Sequence, residues 1–241
     1  FLDILKHLSA NYENKKEIIA FVFIPAKIYG ARIDLEERIN SGISGEPLPN
    51  PYLTHGLNDI SIDPVIKRIK DIHLKNDSSQ RIRLIFVPCI LDGHDGIFNM
   101  PYYDLLTGMD LSIFPSYYEP WGYTPHESIA FGVPVITTNL AGFGQWASLH
   151  SRGLDDGVEV VVRNDNNYSE VVQKIAGLVN AFTLKTKEQI DAIRLNAEKI
   201  AGLLEWKNLI QNYYRAYDVA LKAVDNRQDK FTAVKRGARI K

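Results

Sequence analysis

The chain has 241 residues, 45% of them hydrophobic and 24% charged, with a formal net charge of −1. That gives room for one large or two small domains around a sizeable apolar core, in the proportions of an ordinary soluble globular protein. A charge this close to zero gives no general pull toward nucleic acid or an anionic membrane surface, and no apolar run approaches the roughly 20 residues that a membrane span needs.

The first eight residues place Leu2, Leu5 and Leu8 on one face, which is helical periodicity. The first residue is Phe1 rather than Met, and this helix starts without a cap, so the chain reads as a fragment. Ile18 to Ile24 is a continuous apolar run ended by Pro25, the pattern of a strand covered on both faces. Residues 34–39 read as a helix and 41–51, rich in Gly and Pro, as a loop. Asp63 followed by Pro64 predicts a capped helix running to Ile72. A polar turn at 76–80 leads into a second strand, Ile82 to Val87.

Cys89 stands alone in an apolar run, where a lone thiol behaves as a small hydrophobe and has no intrachain partner. A cytosolic, cytoplasmic setting is therefore expected. The six histidines show no metal-ligand spacing, and no metal site is expected.

The alternation continues with a short helix at 101–109, a strand at 111–114, a helix at 124–132, and strands at 133–137 and 158–162. From about Ser169 to Ala223 the chain reads as helical, broken near Thr183–Thr186. Strands alternating with helices predict a doubly wound parallel sheet of the α/β class. Residues 1–222 are taken as one Rossmann-like domain with C-terminal helices. Residues 223–241 form a basic tail carrying Lys230, Lys235, Arg236, Arg239 and Lys241, read as a solvated terminus.

The most informative stretch runs from Pro115 to Glu127, between a strand and the following helix, where open α/β sheets bind ligands. Thr124-Pro125-His126-Glu127 has the form of a capping box. The N–H groups at such a helix start suit a phosphate, and Gly122 lets the backbone approach a ligand. Glu119, in the loop, suits sugar hydroxyls and Glu127 suits a ribose. Two plainer roles stand beside these: Glu127 completing the capping box, and Glu119 a solvated loop residue. His126 faces either a donor phosphate or solvent. Trp121 lines the sugar site or packs, and Trp206 is expected in the core.

The stretch Tyr117-Tyr118-Glu119-Pro120-Trp121-Gly122-Tyr123-Thr124-Pro125, followed by Glu127, resembles the signature of the glycogen synthase family. The resemblance continues through Thr137 to Gly144, upstream to Thr54-His55 and Asp63-Pro64, and downstream to Leu203-Leu204-Glu205-Trp206. It implies the C-terminal half of a retaining GT-B glycosyltransferase, built from two facing Rossmann-like domains. It also implies transfer of glucose from UDP-glucose or ADP-glucose to the non-reducing end of an α-1,4-glucan, without a metal or other cofactor.

By that resemblance Glu119, the catalytic-site carboxylate, holds the glucose hydroxyls and Glu127 the ribose. Gly122, Tyr123 and Thr124 contact the diphosphate, and Tyr102 stacks on the base, with Tyr103 beside it in an alternative register. Residues 139–144 read as a Gly-punctuated loop near the sugar.

The family's Arg and Lys for the leaving diphosphate, and its acceptor domain, are expected upstream of Phe1. The α-glucan would bind through that missing N-terminal domain, and the fragment alone is expected to be inactive. Eukaryotic members carry an arginine-rich regulatory helix. The equivalent residues 185–199 hold only Lys185, Lys187, Arg194 and Lys199, read here as a solvated helix of an unregulated, bacterial-type member. Two other readings remain: a related transferase with another donor or acceptor, and a non-catalytic nucleotide-sugar-binding module. The C-terminal amphipathic helices offer surfaces for an oligomer.

Overall fold

The computed structural model describes residues 1–11, 16–42, 48–77 and 80–225. The chain divides into two compact units, Phe1–Ile200 and Ala201–Lys241. In chain order the elements are α1 (Leu2–Asn11), β1 (Ile18–Phe23), β2 (Ile28–Ala31), α2 (Ile33–Ser41), β3 (His55–Leu57), α3 (Pro64–Asp71), β4 (Ile82–Val87), α4 (Tyr102–Thr107), β5 (Ser112–Phe114), α5 (Tyr123–Ala130), β6 (Val135–Thr138), α6 (Gly142–Ala147), β7 (Val158–Val161), α7 (Tyr168–Thr183), α8 (Lys187–Leu203) and α9 (Trp206–Asp225).

The fold is α/β with parallel strands, as the alternation predicts. β1 and β4 pair parallel over six residues, from Ile18 opposite Ile82 to Phe23 opposite Val87. β5, β6 and β7 form a second parallel group with β6 in the middle, and all four residues of β6 are buried. Its sequence, Val-Ile-Thr-Thr, is wholly β-branched, which suits a pleated and covered position.

β2 and β3 add an antiparallel pair that the apolar pattern does not show. Both are short, and both contain a glycine, which weakens the strand signal. β1 also departs from expectation. Ala20 and Val22 are buried, but Ile19 is 56% exposed, so the run is covered chiefly on one face.

Ile4, Leu5 and Leu8 of α1 join Ile175 and Val179 of α7 and Ile82, Leu84 and Phe86 of β4 in one core. Each such fully buried side chain contributes roughly 1.5–3 kcal/mol before entropy is counted. α3 begins as predicted. Asp63 accepts a hydrogen bond from the Ile66 N–H at 2.9 Å, and Pro64 opens the helix.

In the second unit, the break after α8 is followed by α9, which continues to Asp225 and takes in the first three residues of the expected tail. Residues 226–241, with the five basic residues named for that tail, lie outside the described residues. Trp206 is exposed rather than in the core. Its ring meets Tyr213 at 5.1 Å, and Tyr213 meets Tyr217 at 6.3 Å, along an exposed flank of α9.

Candidate functional site

The loop between β5 and α5 lies at the carboxyl end of a parallel strand, where α/β folds build ligand sites. Its far end is tied by main-chain hydrogen bonds to the segment after β6. Glu119 N–H donates to the Leu140 carbonyl at 3.4 Å, Gly142 N–H to Glu119 at 3.1 Å, and Phe143 N–H to Trp121 at 2.6 Å. Thr138 Oγ1 adds a bond to the Ser116 carbonyl at 2.8 Å. Because backbone atoms carry the contact, the side chains of Tyr118 and Glu119 stay exposed.

Residues 142–144 are the first turn of α6, not a loop. Their glycines are explained by crowding. A Cβ on Gly142 would lie 2.2 Å from the Pro120 carbonyl oxygen, and one on Gly144 would lie 1.9 Å from that of Thr138. The first N–H groups of α6 are thus taken up by the loop. Trp121 packs edge-on against Phe143 at 6.1 Å and near Trp146 at 6.4 Å, half-buried beneath the loop.

The start of α5 differs from the capping box read in the sequence. Gly122 is the N-cap, with φ 96°, and no side chain caps the helix. Thr124 therefore lies inside the first turn, and Glu127 does not close a capping box. A left-handed backbone here favours glycine, and it leaves the Tyr123 and Thr124 N–H groups without a capping side chain. Glu119 folds over this helix start: a Cβ on Gly122 would be 3.3 Å from Glu119 Cγ.

Glu127 is half-buried and accepts a hydrogen bond from Tyr103 Oη at 3.0 Å. That bond, with the Glu127 charge, raises the Tyr103 phenol above its ordinary value. Tyr102 is half-buried, and its phenol is raised by burial first and by Glu127 second. The two rings are disposed differently. Tyr103 stacks on Phe131 at 4.9 Å, whereas Tyr102 meets Phe23 edge-on at 6.0 Å and Tyr103 at a tilt. His126 stacks on Phe143, and burial pushes its imidazole below the usual range, favouring the neutral ring.

α4 thus brings Tyr102 and Tyr103 beside Glu127, while the loop brings Glu119 over the helix start. The hydroxyl-to-carboxylate link of Tyr103 was not read from the sequence, since its partners are 24 residues apart.

A second cluster was also missed. His55, Cys89 and Asp95 hold potential ligand atoms within 4.8 Å of one another. Both ring nitrogens of His55 already have neighbours: Nε2 donates to the Asp95 carbonyl at 2.8 Å, and Nδ1 lies 2.8 Å from Thr54 Oγ1. Burial pushes the Cys89 thiol up to about 11, so it is protonated at neutral pH. His55 and Asp95 form a hydrogen-bonded knot that ties β3 to the loop leading into α4.

The helix over 187–203 is less plainly solvated than expected. Arg194 donates to the Met109 and Thr107 carbonyls at 2.8 and 3.0 Å, clasping the end of α4.

Parallel strands, a glycine-capped helix start at their carboxyl ends and two carboxylates beside it define an α/β domain with one candidate ligand site. The glycogen synthase family model matches residues 31–239, and the chain belongs to that family. It is 37% identical over 175 residues to a glycogen [starch] synthase, isoform 1, of Saccharomyces cerevisiae, covering 71% of this chain and 25% of that protein. With the Neurospora crassa glycogen [starch] synthase it shares 35% over 173 residues, covering 71% and 24%. With human liver glycogen [starch] synthase it shares 33% over 172 residues, again 71% and 24%. The chain spans about a quarter of the length of these relatives. A looser likeness, with TM-score 0.46 and 16% identity over 90% of this chain and 52% of the other, is to Anabaena HepE in complex with UDP. None of the described helices is long and apolar enough to cross a membrane.

Proposed function

We propose that this chain is the donor-binding part of a retaining glucosyltransferase of GT-B architecture. The whole protein would transfer glucose from UDP-glucose or ADP-glucose to the non-reducing end of an α-1,4-glucan, in the cytoplasm and without a metal. Residues 1–222 form the donor domain with its C-terminal helices, and the acceptor binds to a domain outside this sequence. The observation that carries the reading is the start of α5. In a member of the glycogen synthase family, a helix capped by Gly122 alone presents its first-turn N–H groups beside Glu119 and Glu127.

In this reading the N–H groups of Tyr123 and Thr124 receive the diphosphate, where the helix start supplies partial positive charge. This stabilises the charge that develops on the leaving group. Glu119 accepts hydrogen bonds from the glucose hydroxyls, and Glu127, steadied by Tyr103, accepts them from the ribose. Tyr102, whose ring contacts are edge-on or tilted, stacks on the base.

Calorimetric titration of the chain with UDP and with ADP tests the reading. Binding is expected for one of them, and Glu127→Ala should weaken it roughly tenfold or more, as loss of a charged hydrogen-bond partner does. Equal affinity in that variant rejects the ribose assignment, and no binding of either nucleotide rejects the donor site.

A further inference from the structure

Arg163 follows β7 and is only 8% exposed. Burying a guanidinium is costly unless something compensates it. Among the described residues it makes no ion pair. Its compensation is of another kind. Nη1 donates to the Pro115 carbonyl at 2.6 Å, while Cζ stands 4.0 Å from the Tyr117 ring centroid and 5.9 Å from that of Tyr168. Nε is buried without a partner.

The backbone of the same residue completes the tie. Arg163 N–H donates to Asn139 Oδ1 at 2.6 Å, and Asn139 N–H donates to the Val161 carbonyl at 3.3 Å. One residue therefore links the carboxyl ends of β5, β6 and β7. Pro115 and Tyr117 are the opening residues of the loop that carries Glu119. The far end of that loop is fastened separately, by the main-chain bonds to residues 140–143.

We propose that Arg163 is the positioning residue of this loop: its guanidinium, held by the Pro115 carbonyl and the Tyr117 ring, sets residues 115–122 and with them the place of Glu119. The inference rests on reading that loop as the donor site. A planar guanidinium donates in its plane while its face lies on an aromatic ring, and an ammonium does not combine the two. Arginine is therefore required here, and lysine restores only the bond to Pro115.

The test compares Arg163→Met and Arg163→Lys with the parent chain by amide hydrogen exchange and by titration with UDP, or with ADP if that is the nucleotide the parent binds. In Arg163→Met, exchange over 115–122 should rise about tenfold while β6 stays protected, and nucleotide affinity should fall about tenfold. Arg163→Lys should recover part of both. A merely structural role would instead raise exchange in β6 and the loop alike. That result, or unchanged loop exchange, overturns the proposal, as does nucleotide affinity within twofold of the parent.

Should Arg163→Met not fold, Tyr117→Leu removes only the exposed ring and must still loosen residues 115–122. If the parent chain binds neither UDP nor ADP, the donor reading fails, and loop exchange alone decides what Arg163 holds.

Discussion

Two loops at the carboxyl ends of the strands are fastened by opposite means. Residues 119–121, in the loop after β5, are zipped by main-chain bonds to residues 140–143, and the side chains of Tyr118 and Glu119 stay exposed. Residues 88–101, after β4, are knotted by side chains. The Asp95 carboxylate accepts the N–H groups of Ile97, Phe98 and Asn99, and His55 reaches the Asp95 carbonyl from β3. The first arrangement tolerates change at the exposed Tyr118 and Glu119 but not at a glycine in the zipper. The second depends on two particular residues. A loop whose side chains must meet a ligand gains from the first, whereas a loop that only carries α4 into place can use the second.

The zipper breaks most completely at its closest approach. Gly142→Ala puts a methyl group 2.2 Å from the Pro120 carbonyl oxygen, and its other near neighbours, the Pro120 carbonyl carbon and Trp121 Cα, are loop backbone too. Overpacking of this kind typically costs 1–3 kcal/mol and sometimes more, and with no side chain able to yield, about 3 kcal/mol is expected. Thermal unfolding should then shift down by roughly 6–12 °C. Gly177→Ala in α7 is the counterpart. Nothing lies within 4 Å of that added methyl group, so the change should raise stability by about 0.5–1 kcal/mol. A small effect at Gly142 would mean that the zipper is looser than its geometry.

Each kind of fastening leaves a different trace in the sequence. β1 and β4 were legible because apolar runs are local, and so was the start of α3, where Asp63 and Pro64 act within one turn. Thr124-Pro125-His126-Glu127 fits a capping box locally, yet the helix already starts at Tyr123, with Gly122 at the cap. The two glycines of α6 argue locally for a loop, although close backbone approach is the reason for them. His55 and Asp95 are 40 residues apart, so no spacing rule joins them. Trp206 shows the limit of periodicity, which identifies an apolar face without saying what covers it.

The knot should fail in a pH-dependent way. Burial pushes the Asp95 carboxyl up, but the N–H groups of Phe98, Ile97 and Asn99 outweigh it and hold the group below its ordinary value. A carboxylate with a lowered folded value contributes stability that is complete above its unfolded value, about 3.9, and is lost as pH falls through the folded one. Asp95→Ala should therefore cost about 2 kcal/mol at neutral pH, a fall of roughly 4–8 °C in the unfolding midpoint. The gap to the parent chain should stay level down to about pH 4 and close below it. A gap that widens in acid would contradict the assignment.

The smallest expected effect lies where the two loops meet. Tyr103 sits on α4, which the knot delivers, and its hydroxyl donates to Glu127 on α5, which the zipper aims. Tyr103→Phe keeps the ring on Phe131 and removes only that bond. Because the residue is well exposed, water takes over much of the lost contact, and the unfolding midpoint should not move measurably. If Glu127 holds the ribose, a less steady carboxylate should weaken UDP binding by roughly two- to fivefold. Calorimetry on the two chains reads this directly. A loss as large as that of Glu127→Ala would make Tyr103 a ligand in its own right. No loss would mean that Glu127 is held by α5 alone, and the two loops would then contribute to the site independently.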